Sequence, residues 1–152
     1  MKIAMGNDHA GWPLREIVRE TIEALGHQVV DFGTDKQEAC DYPDVVVPLT
    51  RAILTGECDL GILFCGTGIG MAIAANKVEG IYAARCEDCF SARMARMHNS
   101  ANVLTMGGRT TGPGIAGDTV EAFLTAIPST EERHLRRQNK VRQIEVRADA
   151  RR

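Results

Sequence analysis

Asp59-Leu60-Gly61-Ile62-Leu63-Phe64 runs without interruption into Cys65-Gly66-Thr67-Gly68-Ile69-Gly70 and then Met71-Ala72-Ile73-Ala74-Ala75-Asn76, and the fold turns on this stretch. Its first third is a nearly continuous apolar run, the pattern of a strand covered on both faces, which belongs to a parallel sheet between helices. The middle third is a glycine-rich turn, and the last third reads as a helix. Strand, glycine turn and helix in that order make one β-α unit. The turn falls at the strand's C-terminal end, where open α/β sheets bind ligands.

The same alternation extends in both directions. Residues 2–5 are a short apolar start followed by Gly6-Asn7-Asp8-His9-Ala10-Gly11, and Pro13 opens a segment with Leu14, Ile17, Val18, Ile22 and Leu25 at helical spacing, ended by Gly26. Residues 28–32 carry Val29-Val30 between Gly26 and Gly33, as a buried strand does, and Asp41-Tyr42-Pro43 leads into a helix reaching about Thr55. Downstream, strands are expected at 81–84 and 102–106, with helices at 88–97 and 113–126; Pro128 closes the last of these. Residues 130–146 read as a charged terminal helix whose apolar residues, Leu135, Val141 and Ile144, are too sparse to anchor it alone, so docking on another subunit is expected. About five strands alternating with helices predict an α/β fold with a mainly parallel five-stranded sheet and helices on both faces. Three features then lie at the strands' carboxyl ends: residues 7–11, 65–70 and 107–109.

Composition bounds the function. The 152 residues, 44% hydrophobic and 25% charged, suit one domain spanning 1–152 with a basic tail at about 130–152, and no internal repeat or low-complexity linker interrupts it. No apolar signal core follows Met1, and no stretch approaches the ~20 apolar residues of a membrane span, so a soluble, cytoplasmic protein without membrane contact is expected. In such a chain the five cysteines read as free thiols. The net charge of −2 is uneven: residues 131–152 hold eight Lys/Arg against four acids, which leaves the remainder at −6 and argues against a nucleic-acid partner.

The glycine loop presents backbone N–H groups at the positive end of a helix dipole, a place suited to phosphate or a developing oxyanion. Its Gly-x-Gly-x-Gly spacing is one residue short of the dinucleotide fingerprint, and no Walker Lys-Ser/Thr follows. From the loop alone, glycines that serve only a tight turn stay an open reading. Cys65 adds a thiol that such a position draws toward its basic thiolate form, although buried cysteines are more often small hydrophobes. Asp8-His9 and His98-Asn99 supply a carboxylate and two imidazoles, the ordinary parts of proton transfer, while any single histidine is more often structural. Arg109, after Gly107-Gly108, can bring its guanidinium fork to a phosphate. Cys86-Glu87-Asp88-Cys89 has no second cysteine pair, which leaves a tetrahedral zinc site two ligands short, and no metal is expected.

Together, Asn7-Asp8-His9-Ala10-Gly11, Asp41-Tyr42-Pro43, Cys65-Gly66-Thr67-Gly68-Ile69-Gly70 with Ala74-Ala75-Asn76-Lys77, His98-Asn99 with Asn102-Val103-Leu104, Gly107-Gly108-Arg109, and Arg133-His134-x-x-Arg137 resemble the ribose-5-phosphate isomerase B family, which includes the galactose-6-phosphate isomerase subunits. The match spans residues 1 to about 145 in the family's order. The resemblance implies a Rossmann-like α/β/α domain working without a cofactor, as a homodimer or homotetramer whose active sites are shared between chains. It implies an aldose–ketose isomerisation through a cis-enediolate, with Cys65 as the base. Gly66, Gly68 and Gly70 would offer N–H groups to the enediolate oxygen, and Thr67 would hydrogen-bond near O1. Asp8 with His98 would open the furanose ring, and Asn99 and Tyr42 would position hydroxyls. Arg133 and Arg137 would cross to the partner and bind the phosphate with His9 and Arg109. Some relatives use a downstream glutamate as base, whereas Ala74 and Ala75 occupy that region here. A typical member's Gly-Gly before the tail Arg-His is Glu131-Glu132 in this chain. The implied substrate is ribose 5-phosphate, with allose, galactose or tetrose phosphates as alternatives and a non-catalytic sugar-phosphate-binding module as the competing class.

Overall fold

β3 (Leu60–Cys65) lies at the centre of a five-stranded, all-parallel sheet in a computed structural model that describes residues 1–35 and 38–149. The other strands are β1 (Lys2–Asn7), β2 (Gln28–Asp31), β4 (Ala83–Arg85) and β5 (Val103–Gly107), in the order β2-β1-β3-β5-β4. All six residues of β3 are buried, as expected for a strand between two helical layers. Its side chains alternate. Leu60, Ile62 and Phe64 join the core beneath α1 (Arg15–Ala24), α4 (Cys89–Asn99) and α5 (Pro113–Thr125). Leu63 and Cys65 join the core beneath α2 (Tyr42–Leu54) and α3 (Ile69–Ala75). The apolar spacing of the helices explains their seats: Leu14, just ahead of α1, with Val18 and Ile22 of α1, and Val45, Val46, Leu49 and Ala52 of α2, are buried.

The three-layer α/β architecture agrees with the sequence reading, with local differences. The strand expected at 81–84 begins at Ala83. Before it, the backbone is held by side chains: Asn102 Oδ1 accepts the Tyr82 N–H and its Nδ2 donates to Gly80 O, while Asn76 bonds both the N–H and the C=O of Ala83. α3 starts at Ile69 rather than Met71, because Gly68 already turns the chain into the helix. His98 and Asn99 are the last residues of α4 rather than part of a connection. Asp88 caps the start of that helix, accepting the Ser91 N–H at 2.7 Å, and this bond holds its carboxyl below the usual carboxylate range.

α6 (Glu132–Asp149) bears on the expectation of a partner-docked tail. Leu135, Val141 and Ile144 are exposed, as their sparseness suggested, while His134 and Gln138 are buried against the end of this chain's own α4. The last three residues of the expected basic tail lie outside the described residues. Among the described residues, no helix is long and apolar enough to cross a membrane.

The order of the strands places the ligand end. From β1 the chain turns to α1 on one face, and from β3 to α3 on the other, so a crevice opens between the C-terminal ends of these two neighbours. Gly11 closes its floor: a Cβ there would stand 2.2 Å from Phe64 O, and backbone cannot yield cheaply. Gly11→Ala is therefore expected to lower the unfolding free energy by about 1–3 kcal/mol, the usual cost of overpacking, as measured by urea denaturation.

Candidate active site

Cys65 ends β3 opposite Gly107 of β5, and the strand's alternation aims its side chain to the α2/α3 side of the sheet. The residue is 6% exposed. Its Sγ accepts the Gly68 N–H at 3.2 Å. Gly68 has φ +75°, a conformation glycine adopts without steric cost, and a Cβ there would lie 2.8 Å from the carbonyl carbon of Met106. Glycine is thus what lets the amide come up against the sulfur. The Thr105 hydroxyl donates to Gly68 O at 3.0 Å and braces the turn from β5.

Thr67 is the exposed crest of this loop, and Arg85 holds it from below by donating Nε–H to Thr67 O at 2.6 Å. Arg85 in turn pairs with Glu87. The Thr110 hydroxyl and Arg85 hold the Glu87 carboxyl below its ordinary range. Gly70 sits in the first turn of α3, where N–H groups have no partner within the helix, and the Tyr42 ring lies 3.0 Å from where a Gly70 Cβ would be.

Two other loops complete the crevice. Asp8 is 5% exposed, and its Oδ1 accepts the N–H groups of Ala10 and Gly11 at 2.9 and 3.0 Å, which folds residues 8–11 back over Phe64. His9 follows, its Nδ1 accepting the Cys40 N–H at 3.3 Å from the loop before α2. After β5, the Gly108 N–H reaches Cys65 O at 2.7 Å and the Arg109 N–H reaches Gly66 O at 3.0 Å. The Arg109 side chain then lies across Gly66, with its Cδ 3.5 Å from where a Cβ would be. Asp8, His9, Tyr42, Cys65, Gly66, Thr67, Gly68, Gly70 and Arg109 therefore share one crevice. It offers a thiol with an amide donor on its sulfur, a carboxylate, an imidazole and a guanidinium, the means to hold an anion and move a proton.

His98, Asn99 and Arg137 are elsewhere. They line a cleft of about 500 Å³ with Tyr82, His134 and Arg142. α4 starts beside the C-terminal end of β4 and descends 11 residues before β5 begins, a rise of about 16 Å. Its last residues consequently lie at the opposite end of the sheet from Cys65. One chain does not bring Asp8 and His98 together. Gly68 also differs from its expected use, because its N–H serves the Cys65 sulfur. Arg133 is exposed, its Nε 2.7 Å from Glu131 Oε2.

Some supporting residues carried no signal in the sequence. Arg85 stands in a short edge strand and reads as an ordinary surface cation; only the fold places it under Thr67. His134 lies inside the Arg-His-x-x-Arg motif, yet its stacking on His98, at 4.2 Å and 8° between ring planes, is a tertiary contact. Cys86 is part of the core, and burial, with Asp88 nearby, pushes its thiol up to about 11. That leaves it a poor nucleophile near neutral pH.

A family model described as Ribose/Galactose Isomerase matches residues 3–141. Among similar proteins, ribose-5-phosphate isomerase B of Escherichia coli is 46% identical over 126 residues, 82% of this chain and 84% of that protein. D-erythrulose-4-phosphate isomerase of Pectobacterium atrosepticum is 43% identical over 127 residues, 83% of this chain and 84% of that protein. The structure of ribose-5-phosphate isomerase B from Clostridium thermocellum matches with a TM-score of 0.93 at 44% identity, over 97% of this chain and 99% of that one.

The His98–His134 stack sets a pH dependence. Burial, then His98 and Arg133, hold the His134 imidazole below its ordinary range, with Glu131 opposing and Arg137 assisting. A histidine whose folded pKa is depressed supports the fold fully above its unfolded value of about 6.5, and that support is lost as pH falls below it. The hydrogen-exchange protection factors of the α6 amides, in which the intrinsic slowing of exchange at lower pH is already divided out, are expected to fall between pH 7.5 and 5.5, more than those of the β3 amides, and His134→Phe should flatten the difference.

Proposed function

This chain belongs to the ribose/galactose isomerase family of sugar-phosphate isomerases, and from that premise we propose that it interconverts ribose 5-phosphate and ribulose 5-phosphate with Cys65 as the base. The observation that carries this reading is the Cys65 sulfur facing the Gly68 N–H at the floor of the crevice. The amide fixes the sulfur at the head of the glycine loop, within reach of a substrate held there, as a proton-transferring group must be.

In the forward direction the thiolate of Cys65 removes the C2 proton of the open-chain aldose. The electron pair forms the C1–C2 double bond, and the carbonyl electrons move to O1, beside the Thr67 hydroxyl. The thiol then returns its proton to C1, while O2 passes its own proton to the neighbouring O1, which becomes the C1 hydroxyl, and O2 becomes the carbonyl of the ketose. The N–H groups of Gly66 and Gly70 answer the charge on the enediolate, an effect worth about 3–4 kcal/mol per well-placed donor. His9 and Arg109 hold the phosphate from this chain.

His98, Asn99, Arg133 and Arg137 belong to the same reaction only if a second copy of the chain brings them to the crevice, so the reading includes a homodimer or a larger assembly of dimers. Asp8 of one chain and His98 of the other then open the furanose ring. Glu131 yields Arg133 to the phosphate. A non-catalytic binding module would keep the phosphate-binding arginines without needing Cys65, Thr67, Asp8 and His98 together. The similar D-erythrulose-4-phosphate isomerase makes a tetrose phosphate the second substrate to test.

The purified protein should convert ribose 5-phosphate to ribulose 5-phosphate without added metal or nucleotide, assayed beside allose 6-phosphate, galactose 6-phosphate and erythrose 4-phosphate. No turnover of any of them by folded protein would tell against the reading. Cys65→Ala is expected to abolish turnover while inorganic phosphate still inhibits substrate binding, because base and phosphate clamp are separate groups. Arg137→Ala should raise KM about tenfold or more with a smaller change in kcat, the signature of lost binding shared by ground and transition states. A loss confined to kcat would contradict that role.

A further inference from the structure

We propose that Gln138 is a positioning residue for ring opening, holding the C-terminal turn of α4 so that the His98 imidazole stays in place. This rests on the isomerase reading above. Gln138 is 8% exposed although it sits on an otherwise charged helix, and both ends of its side-chain amide are used. Nε2–H donates to the main-chain oxygen of His98 at 2.9 Å, and Oε1 accepts the Ser100 hydroxyl at 3.0 Å.

The place where these bonds fall gives them their meaning. The last carbonyls of a helix have no partner within it and take one from outside or from water. α4 is capped at its C-terminus by Ser100, which has φ +52° although it is not glycine, so the turn that follows His98 is one that an ordinary residue adopts at a cost. Gln138 grips this turn on both sides of Asn99. One helical turn earlier on the same face of α6, His134 stacks on the His98 ring. The main chain of His98 is thus held by Gln138 and its ring by His134. Arg137 lines the same cleft, but neither of Gln138's side-chain bonds involves it.

A residue acting through His98 has a signature that a purely structural one lacks. With ribose 5-phosphate, Gln138→Leu, which removes both hydrogen bonds and keeps similar bulk, is expected to lower kcat about tenfold, inside the hundredfold or more that a positioned acid–base group contributes. In a His98→Ala background the same change should lower kcat by less than about twofold, since the group it positions is already gone. Inhibition by inorganic phosphate should be unchanged. Gln138→Met is the second variant if the first fails to fold, and the thermal unfolding midpoint of each reports that directly. An unchanged kcat in Gln138→Leu, an equal loss in both backgrounds, or a parallel weakening of phosphate inhibition would overturn the proposal. So would a wild-type enzyme that acts only on a tetrose phosphate, which closes no furanose ring. A wild type without turnover of any aldose phosphate would instead overturn the isomerase reading, and this proposal with it.

Discussion

Just past the last paired residues of the central strands, three backbone hydrogen bonds tie the site together. Asp8 N–H reaches Phe64 O, Gly108 N–H reaches Cys65 O, and Arg109 N–H reaches Gly66 O. Each continues a ladder into what would otherwise be a free loop. Because β1, β3 and β5 are parallel and in fixed register, their ends arrive at one level. These bonds turn that level into a rigid floor carrying Cys65, Asp8 and Arg109. Glycines at 11, 68, 107 and 108 permit the approach, since a Cβ at any of them would come within 2.8 Å of another atom. The loops are precise because they are extensions of the sheet.

The same parallel geometry divides the chemistry. In a β-α-β unit a residue at the start of the helix is near the strand ends that bind ligand, and a residue at its end is a helix length away. Cys65 and its neighbours occupy the first kind of position, while His98 and Asn99 occupy the second. α6 joins the far group by seating His134 and Gln138 on the end of α4. One chain therefore carries two groups of candidate residues at opposite ends of the sheet, each with side chains the other lacks. That division is the physical ground for reading the working enzyme as an assembly of copies.

How much of this was legible depended on whether the signal was local. The apolar run at 59–64, the glycine loop and the helical spacing of Leu14, Val18 and Ile22 are set by short-range preferences and by burial on both faces, so the α/β fold was readable. The start of the edge strand was misplaced by two residues because side chains outside the strand, Asn76 before it and Asn102 after it, take up the backbone bonds at that point. Cys65, Asp8, His9 and Arg109 were legible as candidates because reactive residue types stand together with glycines at strand ends, each with a structural reading beside it, and Thr67 was legible through the family resemblance. Arg85 beneath Thr67 and Gln138 against α4 were not, for a surface arginine and a helical glutamine are unremarkable until another element is packed against them.

By itself, then, the sequence determined the order of strands and helices, the chemical groups available and the strand ends at which they stand, because these follow from periodicity, turn chemistry and residue type. Only the tertiary structure decided that the Gly68 amide serves the sulfur, that the tail helix rests on its own chain through His134 and Gln138, and that His98 lies at the far end of the sheet from Cys65. Those are relations between segments far apart along the chain. Their distances are set by the register and layering of the whole sheet, and no local pattern encodes them.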